Sequence, residues 1–167
     1  MSQLQQLTAF LRENLPARIC ETEFTSEMDE IQFIPAQRDL GLGQYQMFVQ
    51  QYEAVIAWGR FPYRECDPRN IPLLIDIWLT EQGDSLSNAN VEQERPTLTV
   101  DVDGETAVVI VTLSLAEPVV IREDPSGMIP FDGKRWSLAE TEIWFAEQGA
   151  VHSVDETGAR IGAVNHV

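Results

Sequence analysis

Leu4, Leu7, Phe10, Leu11 and Leu15 recur at the three- and four-residue intervals that gather side chains on one face of an α-helix. Ser2 stands where such a helix needs an oxygen to accept from its first free N–H groups, and Pro16 stops it. Beyond Pro16 the period shortens. Ile19–Thr25 and Glu30–Ala36 alternate apolar and polar positions, which predicts strands or an extended arm, broken at Thr25-Ser26-Glu27 and ended by Pro35. Residues 37–44 read as a Gly-containing connector. Tyr45–Trp58 alternates again, but its apolar set changes from Tyr45, Met47 and Val49 to Ala54, Ile56 and Trp58. That slip of phase near Gln50-Gln51 predicts a bulge or a turn of a curved strand. Gly59–Cys66 reads as a loop in which Pro62 ends any pairing.

The helical period returns at Asn70–Gln82, where Ile71, Leu74, Ile75, Trp78 and Leu79 form a full apolar stripe. Asp67 and Pro68 are suited to the N-cap and first helical positions, Gly83 to the end, and Asp84–Glu94 is a polar linker. Leu98, Val100 and Val102 then share one face of a strand. Asp103-Gly104 marks a hairpin turn, and Thr106–Leu115 is apolar on both faces through Val111, the mark of a central strand. Glu117–Val120 continues extended, with turns at Asp124-Pro125-Ser126-Gly127 and Asp132-Gly133. Ser137–Phe145 reads as a further strand with either Leu138 and Trp144 or Ile143 and Phe145 inward, and Gly149–Val167 as a hairpin or arm. The expected organisation is one domain over residues 1–150 and a C-terminal arm or hairpin over 151–167.

Charge changes this picture more than composition does. The 167 residues carry 27 acids against 11 Lys+Arg, a formal net charge of −16 and a pI near 4.3. Such a field repels nucleic-acid phosphate within the ~8 Å Debye length of physiological salt. Nucleic-acid binding needs Lys and Arg to displace counterions, and Lys134 is the single lysine. A specific nucleic-acid binder is excluded on that ground. The 44% hydrophobic and 23% charged fractions are those of a globular chain long enough to bury its own core. Cys20 and Cys66 form no CxxC pair and are read as free thiols of a reducing compartment. No apolar run reaches the ~18 residues of a membrane helix, and Met1-Ser2-Gln3-Leu4 lacks the basic start of a secretory signal.

Candidate chemistry is thin. Asp101-Val-Asp103-Gly-Glu105 resembles the opening of a calcium loop but lacks the later ligands and the closing bidentate Glu. Its Asp-Gly already serves the turn. His152 and His166 stand fourteen residues apart with no Cys or paired acid at ligand spacing, so no metal site is expected. No G-x-S-x-G, P-loop or dinucleotide fingerprint occurs. Glu123-Asp124 is the kind of adjacent acid pair that 27 acids produce by chance. Trp144 and Phe145 are neighbours, so on a strand they point to opposite faces. One of them is left for a protein interface, with Ile143 beside it, since aromatic anchors concentrate there.

The order of elements carries a resemblance. A long strand and short loop lead to a helix ending Ile77-Trp78-Leu79-Thr80-Glu81-Gln82; an acidic linker then leads to a hairpin ending Leu113-Ser114-Leu115-Ala116-Glu117-Pro118-Val119. From Tyr45 to Trp136 this resembles the tail completion (tail terminator) proteins of P2-like bacteriophages. The resemblance implies an α+β fold, a mixed and mainly antiparallel sheet packed against two main helices. It implies a structural virion protein, not an enzyme, with no cofactor or metal. Such a protein closes the head-proximal end of the tail tube, ends its polymerisation and forms the head–tail joining surface as a hexameric ring. The implied partners are copies of itself, the tail tube protein, and sheath and head–neck proteins, assembled in the host cytoplasm. Asp101, Asp103 and Glu105 would then line a lumen and keep passing DNA from adhering. An acidic protein-binding or DNA-mimic inhibitor module is the alternative, and it requires the acids to gather on one face.

Overall fold

The computed structural model describes residues 2–21, 23–82 and 95–140. It opens with helix α1 (Gln3–Asn14), whose first turn is closed by reciprocal hydrogen bonds. The Gln5 amide donates to Ser2 Oγ at 3.2 Å, and the Ser2 amide donates to Gln5 Oε1 at 2.9 Å. Pro16 follows the last turn. A short helix α2 (Ala17–Cys20) then takes the place of the strand expected from Ile19, and Ile19 is buried there.

Two long strands come next, β1 (Phe24–Gly41) and β2 (Gln44–Phe61), paired antiparallel along their length. Neither Thr25-Ser26-Glu27 nor Pro35 ends β1, contrary to the sequence reading, although the register shifts between Pro35 and Arg38. The reason is position: β1 pairs with β2 alone, so it is an edge strand where a missing N–H can face outward. Leu42 and Gly43 make the connecting turn with φ of 52° and 73°, the backbone a right-twisted hairpin requires. The slip of phase in β2 is present, with Val49 buried, then Tyr52, Ala54, Ile56 and Trp58. The ladder irregularity opposite it lies in β1, between Asp29 and Gln32, where Glu30 has φ 48°. β2 runs to Phe61, inside the segment read as loop, through a second register shift between Trp58 and Phe61.

Helix α3 (Asn70–Gln82) has the bounds its periodicity predicts. Ile71, Ile75 and Trp78 are buried, while Leu74 and Leu79 are half-buried at the margins of the stripe. Strand β3 (Thr97–Asp103) and strand β4 (Thr106–Glu123) form the next hairpin. Its two turn residues are Gly104 and Glu105, one place later than expected, with Gly104 at φ 64°. β4 is a single 18-residue strand that absorbs the extended Glu117–Val120 segment. Strands β5 (Ile129–Phe131) and β6 (Lys134–Ala139) close the order across an Asp132-Gly133 turn with φ of 51° and 70°. β6 starts three residues before the strand expected at Ser137, and that strand's end at Phe145 lies outside the described residues. So do the boundary at residue 150, Gly83, the Asp84–Glu94 linker, His152 and His166.

The six strands form one sheet in the order β1-β2-β4-β6-β5, with β3 also paired to β4, and every pair is antiparallel. Both long helices pack on one face. Leu4, Leu7 and Leu11 from α1 and Ile71, Ile75 and Trp78 from α3 meet Tyr52, Ala54, Ile56, Trp58, Val109, Val111, Leu113 and Leu115. Fully burying each large aliphatic side chain contributes about 1.5–3 kcal/mol, so this layer supplies the bulk of the fold's stability. The fold is α+β with a mainly antiparallel sheet.

Candidate functional site

The most polar buried contact joins α1 to the sheet. Tyr52 projects from β2 and Glu117 from β4 beneath the first turn of α1, where free N–H groups and the helix dipole both favour an oxygen. The Gln3 amide donates to Glu117 Oε2 at 2.7 Å, and the Leu4 amide donates to the Tyr52 hydroxyl at 3.1 Å. The two side chains are also hydrogen-bonded to each other. Burial raises the Glu117 pKa above its ordinary range, and burial with the Glu117 charge raises that of the Tyr52 phenol. This cluster fastens a helix, and Tyr52 also lines part of a cleft beside Leu113 and Ser114. Sequence reasoning missed it, although a lone acid inside the apolar run from Ala107 to Ile121 is the signal that marks it.

The proposed lumen acids share the β3–β4 hairpin. Asp101 and Asp103 are exposed and lie on one strand face, opposite Val108 and Thr106. Glu105 sits in the turn and meets Arg64 Nη1 at 3.4 Å, while the Tyr63 hydroxyl donates to the Gly104 carbonyl at 2.8 Å. The loop after β2 thus braces the tip, and one of the three acids has a local cation. Ile143, Trp144 and Phe145 lie outside the described residues. Leu138, inward in one of the two alternatives the sequence left open, is 64% exposed; Trp136, two residues earlier, is the buried aromatic of β6. Trp136 Nε1 donates to the Phe131 carbonyl at 2.7 Å, and Tyr45, Phe131 and Trp136 stack in series with centroids 4.9 Å and 5.7 Å apart.

Two open surfaces adjoin these elements. On the side of β4 away from β2, β3 covers Thr106–Thr112 and β6 covers Val120–Glu123. Between them Leu113–Val119 pairs only with β2 among the described residues. A cleft of about 340 Å³ opens beside Leu113 and Ser114, lined also by Glu30, Gln51, Glu53 and Arg95. Ser114 Oγ there accepts from Gln51 Nε2 at 3.1 Å. At the far end of the sheet Leu42, Met128 and Leu138 are 103%, 88% and 64% exposed.

Among the described residues no group of three His, Cys, Asp or Glu side chains is placed to hold a metal ion, and no helix is long and apolar enough to cross a membrane. Cys20 and Cys66 are free and half-buried. Asp67, read as a helix cap, accepts from the Arg69 amide and pairs with its guanidinium at 2.6 Å, which lowers its pKa to about 2.

No solved structure matches this chain. An uncharacterized 19.2 kDa protein in the rep-hol intergenic region of Haemophilus phage HP1 (strain HP1c1) is 28% identical over 144 residues, 86% of each chain. The model of the P2 phage tail completion protein R (GpR) family matches residues 1–141, nearly all of the described structure, and this chain belongs to that family.

Proposed function

We propose that this protein caps the head-proximal end of the phage tail tube, ends its polymerisation and presents the surface to which the head joins, working as a six-fold ring. The observation that carries the reading is membership of the tail completion family across residues 1–141. The fold is consistent with it: a rigid α+β body whose polar groups serve helix anchoring and turns. In this reading the protein is a structural component, not an enzyme, and it acts in the virion tail after assembly in the host cytoplasm. Its partners are the tail tube protein, the sheath and the neck.

A ring needs two different patches on each copy that fit one another. The stretch Leu113–Val119 of β4, which pairs only with β2 among the described residues, is an edge to which an extended segment of a neighbouring copy can add. Ile143, Trp144 and Phe145 are the proposed anchors of such a segment, and residues 151–167 its arm. Asp101, Asp103 and Glu105 are proposed to face the lumen.

Gold-labelled antibody against this chain, imaged on purified phage, tests the position. Label confined to the head-proximal tail end is expected. Intact particles without label, with the protein free in the lysate, would sink the role. The inhibitor reading would then lead, because Glu27, Asp29, Glu53, Asp101 and Asp103 do share one sheet face.

A further inference from the structure

With α1 and α3 on one face of the sheet, the ladder register assigns the side chains of the other. Residues directly opposite across a ladder share a face, as do residues two apart along a strand. β4 runs without a bulge, because the shift against β2 between Gln46 and Phe48 has consecutive partners, Val120 and Val119. Its even-numbered positions from Thr106 to Arg122 therefore all lie on the face away from α1, where Leu79 of α3 reaches only the small cluster of Val49 and Ala116.

Three acids join them at one level. Glu53 stands opposite Ser114, Asp29 opposite Glu53, and Glu27 opposite Val55, itself opposite Thr112. Three arginines join them at the other end. Arg122 is on β4; Arg38 stands opposite Gln46, which is opposite Val120; Arg135 is two residues before Ser137, which is opposite Arg122. All six are exposed except the half-buried Glu53.

Their pairing sets these groups apart. Arg18, Arg60, Arg64, Arg69 and Lys134 each sit on an acid. Arg38 and Arg135 form no ion pair among the described residues. Arg122 lies near Asp124, whose carboxylate already accepts from the Ser126 amide and hydroxyl. Asp29 and Glu53 are like charges placed directly opposite, an arrangement that costs stability unless a cation lies over it. Arg95 reaches the adjoining cleft beside Glu53 and Glu30, the one cation among the residues that line it.

A chain of net charge −16 repels its own copies, so they associate only where local charge runs the other way. We propose that Arg38, Arg122 and Arg135 of one copy dock on Glu27, Asp29 and Glu53 of a second copy, head to tail. This rests on the ring reading and names its contact. The contact is heterologous, as a closed ring requires, and leaves the β3–β4 hairpin tip free. From Thr112 to Arg122 the two patches are about 33 Å apart along β4, far enough for separate neighbours to reach each.

The test measures particle mass by sedimentation for the wild type and two double variants, with thermal melting as the check of folding. The wild type should assemble at about 50 mM salt and dissociate by about 500 mM, where the Debye length falls to roughly 4 Å. Arg122→Glu with Arg135→Glu, and separately Glu27→Lys with Asp29→Lys, should each weaken assembly at least tenfold. Mixed in equal amounts the two variants should assemble again, since each then offers the charge the other has lost. Rings that form in either double variant alone would overturn this contact and leave the ring standing. A wild-type chain that stays monomeric at low salt would overturn both, and a mixture that fails to assemble would overturn the pairing of these two patches.

Discussion

Glu117 holds the first turn of α1 with a carboxylate that burial disfavours. Its native pKa lies above the ordinary 4.5, so the folded state binds that proton more tightly than the unfolded chain. The resulting stability is complete below pH 4.5 and is lost as pH rises through the native value. Glu117→Gln keeps an oxygen for the Gln3 amide and removes the titration. Thermal melts should therefore show this variant at least as stable as wild type at neutral pH and without the wild type's relative gain on acidification. Tyr52→Phe should cost about 1–3 kcal/mol, because the Leu4 amide is left buried without its acceptor. A Glu117→Gln variant several degrees less stable at neutral pH would show that the α1 N-terminus needs the full charge.

At the scale of elements, the sequence announced those whose burial is one-sided and concealed those whose pairing decides them. α1 and α3 each bury a single stripe, so periodicity located both, and α3 to the residue. β1 is the counterexample. As an edge strand exposed along most of its length, it has little burial to enforce alternation, and Pro35 and the Thr25-Ser26-Glu27 run read as breaks that the ladder tolerates. β5 escaped notice because three residues hold no period, and it exists through its pairing with β6. The anchor at Tyr52 and Glu117 depends on two strands and a helix far apart in sequence, so only the fold brings it together. Trp78 belongs to the legible class, 3% exposed in the middle of the α3 stripe. Trp78→Ala should cost about 3–5 kcal/mol in denaturant unfolding while leaving the helix content of the native state nearly unchanged. A loss under about 1 kcal/mol would mean that α3 is fastened chiefly by Ile71 and Ile75.

For the whole molecule, the division between body and assembly device is the property most open to test. The core is assembled by residues up to Trp136, and the sheet's last described pairing is Ala139 with Val120. Among the described residues, the core and the sheet ladder thus end before Glu140. The family match ends at residue 141 as well. The chain nevertheless continues for 27 residues beyond Glu140, with Ile143, Trp144 and Phe145 at their start. Aromatic anchors concentrate at protein interfaces, and these three side chains are proposed to serve there. A chain truncated after Glu140 should therefore melt cooperatively near the wild-type temperature and fail to form rings. Adding back a peptide of residues 141–167 should not restore them, since a separate peptide no longer links one copy to the next. If the truncated chain instead unfolds, those residues complete the core beside the open Leu113–Val119 edge, and the ring contact must rest on the charged patches alone.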